Sequence, residues 1–173
     1  MAYALFTTTF GTCGIAWGEA HFTRFQLPHE TDALTEKRLS GSGGRLDEDD
    51  APAWVRQAIA RVRRHLEGDF QDFSDLPLER SLISDFQHAV YLQALQIKPG
   101  FKRSYGQIAG AIGMGPEAAR AVGVALATNP WPLLVPCHRV VSASDKMTGF
   151  SAPGGIRTKT RLLAIEGAEL LSE

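Results

Sequence analysis

Strand signals crowd into the first 27 residues of this chain and most helix signals lie beyond Pro52, a segregation that limits the fold more than any other feature. Tyr3 to Thr9, Thr12 to Trp17 and His21 to Gln26 alternate β-formers with small residues, with turns at Phe10-Gly11 and Gly18-Glu19-Ala20, so three short strands are expected. A short helix is expected over Thr31 to Leu39, followed by the flexible, low-complexity stretch Ser40 to Gly44. Pro52 then opens an amphipathic helix with Trp54, Val55, Ala58, Ile59, Val62 and Leu66 at helical spacing. Its arginines, Arg56, Arg61, Arg63 and Arg64, read as a solvated face. Strands followed by helices make an α+β chain. Gly68 to Ile83, with Pro77 inside it, reads as a connection, giving subdomains 1–80 and 81–173.

The second part is denser in signals. Ser84 with Gln87 makes a capping box, and Phe86, Val90, Ala94 and Ile97 line one face of a helix ending at Pro99-Gly100. Ser104-Tyr105-Gly106-Gln107 is a second capping box, opening a helix with Ile108, Ala109 and Ile112 on its buried side. Gly113-Met114-Gly115 is a sharp turn, and Pro116 starts the next helix, Glu117 to about Leu126. Two short helices joined by a glycine-containing turn form the helix-turn-helix pattern, which any αα corner also resembles. Ala118, Ala119, Ala121, Gly123 and Ala125 leave the second helix nearly bald, with Arg120 as its one cation. Small side chains suit tight packing against a neighbouring helix; they also let a backbone approach another surface, with Arg120 as a probe into a groove or base stack.

Charge supports a polyanion on this side of the chain. Residues 1–97 carry 9 Lys/Arg against 14 Asp/Glu, whereas residues 98–173 carry 9 against 5. A net charge of −1 by itself argues against a general nucleic-acid binder, but the C-terminal half is basic. Cys13 and Cys137 are the only cysteines, so there is no disulfide framework and a reducing, intracellular compartment is expected. No apolar run is long enough to span a membrane and no charged-then-apolar leader opens the chain.

Chemistry concentrates at Pro136-Cys137-His138-Arg139-Val140. The thiolate, not the thiol, is the nucleophile, so a reactive cysteine needs neighbours that favour its ionised form. His138 is an adjacent base, and Glu166 supplies a carboxylate that would hold it in one tautomer. The plain alternative is a small buried cysteine beside a surface histidine. The loop Thr128-Asn129-Pro130-Trp131-Pro132 precedes it, with Leu133-Leu134-Val135 expected as an extended stretch delivering Cys137. Gly149 to Gly155 reads as a glycine- and proline-rich loop able to line a pocket, and a terminal helix is expected over Ile156 to Glu166.

Arg120-Ala121-Val122-Gly123, Asn129-Pro130, Pro136-Cys137-His138-Arg139-Val140 and Leu162-Leu163-x-x-Glu166-Gly167 resemble, in order and spacing, the 6-O-alkylguanine-DNA alkyltransferases, as do Phe86-Gln87 and Arg103-Ser104-Tyr105-Gly106. The match is specific over residues 84–167. The resemblance implies a ribonuclease-H-like αβ subdomain followed by a mostly helical, winged-helix-like DNA-binding subdomain that carries the active site. It implies that a guanine is flipped out of duplex DNA and that Cys137 takes its alkyl group irreversibly, once per molecule, without cofactor or metal. His138 would act as base through a water, Glu166 would orient His138, and Asn129 would bridge the loop and the active-site turn. Tyr105 would turn the target phosphate, Arg120 would fill the vacated stack, and the helix bearing Ala119 and Gly123 would lie in the minor groove. Arg139, Ser151 and Lys159 complete the expected DNA- and base-binding set, with Lys159 supporting the pocket from the last helix.

The expected partner is double-stranded DNA carrying 6-O-alkylguanine, with 4-O-alkylthymine as a second lesion. The protein is expected to be a monomer away from membranes, in the cytoplasm, or in the nucleus of a eukaryote. Some relatives carry a zinc in the first subdomain; Cys13, His21 and His29 lack a zinc-like spacing. The pocket loop departs from the family pattern, with Phe150-Ser151-Ala152-Pro153 before Gly154-Gly155 in place of a shorter tyrosine-containing loop. Two other functions are weighed. An alkyltransferase-like damage-binding or signalling protein without transfer activity would replace the cysteine, which Cys137 argues against. A cysteine hydrolase would need a glycine-rich oxyanion-hole motif before the cysteine, and none precedes Cys137.

Overall fold

The computed structural model describes residues 1–143 and 155–168. The chain forms two compact units, Met1–Glu79 and Arg80–Glu173.

The first unit is built on a four-stranded sheet in the order β3-β2-β1-β4. β1 (Ala2–Thr8) and β2 (Gly11–Trp17) form an antiparallel hairpin in unbroken register from Ala2 opposite Trp17 to Thr8 opposite Gly11. Thr8 tightens the connection, its hydroxyl donating to the Gly11 carbonyl and accepting from the N–H groups of Phe10 and Gly11. Gly11 sits at φ 133, and a Cβ there would stand 2.8 Å from the Pro28 ring, so the turn needs glycine twice over. β3 (Phe22–Gln26) adds antiparallel to β2, with a register shift at Ala16/Trp17. β4 (Gly44–Arg45) adds parallel to β1, starting at the last residue of the stretch read as flexible. Thr31 caps α1 (Asp32–Lys37) through its hydroxyl.

In α2 (Ala53–Leu66), Val55, Ala58, Ile59, Val62 and Leu66 are buried, as their spacing predicts. Its arginines are not one solvated face. Arg61 holds Asp75 with two bonds and lies over the Phe73 ring, and Arg63 pairs with Glu48 and lies over Phe6. Their long stems cover apolar rings while the heads find carboxylates, which helical periodicity alone does not reveal.

The second unit begins with α3 (Asp85–Leu95), closed at its start by a full capping box of Ser84 and Gln87. A second full box, Ser104 with Gln107, opens α4 (Tyr105–Ala111). α4 stops at Gly113 (φ 82), where the Met114 N–H reaches back to the Ala109 carbonyl, the glycine-dependent helix stop that frees the chain to turn. A 3₁₀ turn at Pro116–Ala118 leads into α5 (Ala119–Ala127), completing the helix-turn-helix. The expected extended run at Leu133–Val135 is instead a turn. The Val135 N–H donates to the Trp131 carbonyl, and Leu133 adopts φ 77. Pro130 and Pro132 pinch the chain so tightly that it folds back before reaching Cys137. Cys137–Arg139 form a 3₁₀ turn, and β6 (Val140–Val141) pairs parallel with β5 (Arg103–Ser104). That two-residue ladder ties the start of α4 to the strand that follows the Cys137 turn. α6 (Ile156–Ile165) closes the unit and ends at Glu166 as its C-cap, before Gly167 at φ 75.

Candidate active site

Cys137 lies 6% exposed in the 3₁₀ turn, its N–H donating to the Val135 carbonyl (2.8 Å). The loop before it is held from within by Asn129. The Asn129 side chain donates Nδ2–H to the Val135 carbonyl (3.1 Å) and accepts the Trp131 N–H on Oδ1 (2.9 Å). One amide therefore secures both ends of the Trp131–Val135 turn, and it also hydrogen-bonds toward the thiol.

The next residue, His138, is fully buried and donates Nε2–H to Glu166 Oε1 at 2.9 Å. A carboxylate only accepts, so this bond selects the tautomer protonated on Nε2. Glu166 is held in turn by Arg139, whose Nε meets Oε1 (2.9 Å) and whose second terminal nitrogen meets Oε2 (2.7 Å). The first terminal nitrogen donates to the Ile97 carbonyl (2.6 Å). A carboxylate at a helix C-terminus opposes the helix dipole; here three charge-assisted or polar donors offset that cost.

Arg139, expected among the DNA-binding residues, is corrected by this geometry. It is 5% exposed and its guanidinium is committed to Glu166 and Ile97, so it serves the interior of the site and not a phosphate. Lys159 is likewise interior, 1% exposed on α6, donating Nζ–H to the Val140 carbonyl at 2.8 Å. It lies over the Tyr105 ring at 5.9 Å and close enough to the thiol to favour its ionised form. Lys159, Leu162, Leu163 and Glu166 share the buried face of α6. Two charged residues at the ends of an otherwise apolar helical stripe are the sequence signal that marks them as site residues.

Burial dominates the thiol. It pushes the Cys137 pKa above its ordinary value, against the Asn129 hydrogen bond, the Lys159 charge and the backbone N–H groups at Cys137 and His138. The same burial pulls Lys159 below the ordinary lysine value, while Cys137 opposes that shift. The resting site thus holds a neutral thiol surrounded by groups that stabilise a thiolate once the proton leaves.

On α5, Val122, Ala125 and Leu126 face inward, while Arg120 is exposed and Ala119 is part-exposed. Gly123 passes over Tyr105, where an added Cβ would stand 3.8 Å from the ring. Tyr105 is thus layered between the bald helix and Lys159. Ser151 and the Phe150–Pro153 loop lie outside the described residues. Tyr91 is a residue the periodicity of α3 missed; it is buried beside Val90, and its hydroxyl donates to the Ala125 carbonyl at 2.6 Å. A tyrosine on an inward helix face, one turn after a capping glutamine, is the signal for it. Among the described residues no cluster of three His, Cys, Asp or Glu gathers as a metal site, and no helix is long and apolar enough to cross a membrane.

Fold and site together define an α+β protein with a helix-turn-helix and, behind it, one buried thiol flanked by a His-Glu-Arg network. The family profile described as 6-O-methylguanine DNA methyltransferase, DNA binding domain, matches residues 85–168. A methylated-DNA–protein-cysteine methyltransferase of Mycobacterium tuberculosis is 44% identical over 116 residues, 66% of this chain and 67% of that protein. One from Methanosarcina acetivorans is 38% identical over 115 residues, 66% and 70% of the two chains. The crystal structure of Mycobacterium tuberculosis OGT in complex with DNA superposes with a TM-score of 0.74 at 32% identity, covering 96% of this chain and 93% of that one. The chain belongs to the methylated-DNA–protein-cysteine methyltransferase family.

Proposed function

We propose that this protein repairs DNA directly, moving the alkyl group of 6-O-alkylguanine onto its own Cys137, once per molecule. The observation that carries this is the juxtaposition of a buried thiol with the His138–Glu166–Arg139 network and Lys159. A stacked guanine hides its oxygen-6 substituent, so the base must leave the duplex to meet a thiol this deep. With Nε2 of His138 given to Glu166, the other ring nitrogen, Nδ1, is the one to take the thiol proton through a water. Sγ then attacks the alkyl carbon, the carbon–oxygen bond breaks, and its electron pair stays on the base, which takes up a proton equivalent to the one the thiol gave up and remains in the strand as guanine. The sum is thiol plus alkylguanine giving thioether plus guanine. Lys159 steadies the thiolate, Asn129 holds the loop that presents it, and Glu166 steadies the imidazolium.

Arg120 fills the vacated stack from the minor groove, where the small face of α5, with Ala119 and Gly123, lets the backbone approach. Tyr105 turns the target phosphate. The first unit is ribonuclease-H-like and the second winged-helix-like, a reading that the short β5–β6 ladder, its strands flanking the helix-turn-helix in sequence, supports. A thioether resists water and cellular reductants, so the protein is consumed. The cytosol or nucleus, where DNA lies among reducing thiols, suits a protein that must keep Cys137 free until then.

A duplex bearing one 6-O-methylguanine tests this. Intact-protein and peptide mass spectrometry should find one methyl-sized gain per protein, on the peptide bearing Cys137, and none in Cys137→Ser. Repeated turnover, or transfer by the serine variant, would overturn it. A protein that binds the lesion without gaining mass is the damage-binding alternative.

A further inference from the structure

The Ala125 carbonyl is among the last four of α5, and continuing the helix would pair it with the N–H of Asn129. Asn129 precedes Pro130, whose ring disfavours helical backbone in the residue before it. The Asn129 N–H donates instead to the Leu126 carbonyl, at 3.2 Å. The Ala125 carbonyl is taken by the Tyr91 hydroxyl, at 2.6 Å, reaching across from α3. Thr128 Oγ1 stands 3.2 Å from the same carbonyl and 3.0 Å from the Val124 carbonyl. Its single hydrogen cannot serve both carbonyls, and Thr128 Oγ1 itself accepts from Gln87 Nε2 at 3.0 Å. Gln87 and Tyr91 are one turn apart, so one face of α3 grips the last turn of α5. The next residue along, Asn129, bonds the Val135 carbonyl, which also receives the Cys137 N–H.

We propose that Tyr91 is a positioning residue for the reaction at Cys137: its hydroxyl satisfies the carbonyl that Asn129 leaves, and so keeps Asn129 in the loop that sets the thiol. This rests on Cys137 being the alkyl acceptor. Tyr91 is 2% exposed and so presents almost no surface to a partner. Without its hydroxyl, a buried carbonyl lacks its short partner, and the cheapest repair is for Asn129 to wind one residue further into α5. That movement draws its side chain away from Val135. Burial pushes the Tyr91 phenol pKa well up, so the hydroxyl remains a neutral donor at any working pH.

Tyr91→Phe keeps the ring and removes only the donor. Single-turnover methyl transfer at saturating protein should slow by about tenfold, the cost of one unsatisfied buried acceptor, while affinity for the duplex, measured in a Cys137→Ser background, stays the same. Alkylation of Cys137 by iodoacetamide without DNA should slow by a similar factor, and hydrogen exchange at the Cys137 amide should quicken while α3 amides hold. Thr128→Val, which leaves Tyr91 in place, should slow transfer far less. An unchanged transfer rate in Tyr91→Phe would sink the proposal, and so would equal losses of rate and affinity, which would assign Tyr91 to docking α5 on DNA. If the wild-type protein takes no methyl from DNA, the alkyl-transfer reading fails by itself, and the iodoacetamide and exchange arms still decide the role of Tyr91.

Discussion

Arg139 grips both carboxylate oxygens of Glu166, at 2.9 and 2.7 Å, in a pocket where both side chains are almost fully buried. The pair joins the turn bearing the thiol to the end of α6, and His138 shares one of its oxygens. A buried ion pair contributes little net stability when whole, yet breaking it from one side is expensive. Arg139→Met should cost about 3–5 kcal/mol of unfolding free energy, because Glu166 is left charged and buried. Arg139→Met with Glu166→Gln should recover part of the loss; urea unfolding of the single and double variants checks this.

Chemistry should separate from binding at His138. His138→Gln removes the base and Glu166→Gln removes the group that fixes its tautomer; each should lower single-turnover transfer by about 10²–10⁴. Duplex affinity should be unchanged in both, since neither side chain reaches the surface. Quench-flow transfer rates beside fluorescence-anisotropy titrations measure the two quantities independently.

Transfer should speed up with pH. Burial raises the Cys137 pKa, so the thiolate becomes more plentiful only as pH climbs above the range of an ordinary cysteine. Lys159 works in the opposite direction, and Lys159→Met should move the rising limb to still higher pH and slow transfer at neutrality. Iodoacetamide rates for Cys137 from pH 6 to 10 would report the limb directly; a limb shifted downward by the substitution would contradict the role given to Lys159.

Cys13 offers a separate stability test. Full burial pushes its thiol from 9.0 to about 12. The folded state therefore holds this proton more tightly than the unfolded chain. The associated stability is complete below pH 9 and is lost progressively as pH rises toward 12. Cys13→Ala should remove this part of the alkaline loss, on the order of a few kcal/mol across the window, measured as unfolding free energy against pH.

Arg120→Ala should weaken repair of duplex DNA more than it slows reaction with free 6-O-methylguanine, because Arg120 is exposed on α5 and makes no part of the thiol site. Equal losses on both substrates would remove Arg120 from the role of filling the stack.

Much of this protein was legible in its residue order alone. The two capping boxes, the glycine stop after α4, the amphipathic α2 and the bald α5 depend on contacts within a few residues, and local rules predict them. The adjacency of Cys137 and His138 is written in the chain, as is the reach of Glu166 from a helix end. Packing decided the rest, since partners distant in sequence compete for the same donors. Arg139 was expected among the DNA- and base-binding residues, whereas Glu166 and the Ile97 carbonyl claim it, and Arg61 and Arg63 looked solvated until rings and carboxylates took them. Leu133–Val135 looked extended until the prolines and Asn129 folded it into a turn. The place of Tyr91 one turn after Gln87 marks it as inward-facing, but not its hydrogen-bond partner. Its task exists only because α3 lies against the end of α5, where a proline four residues past Leu126 has pulled one N–H out of the helix and left a carbonyl to be satisfied.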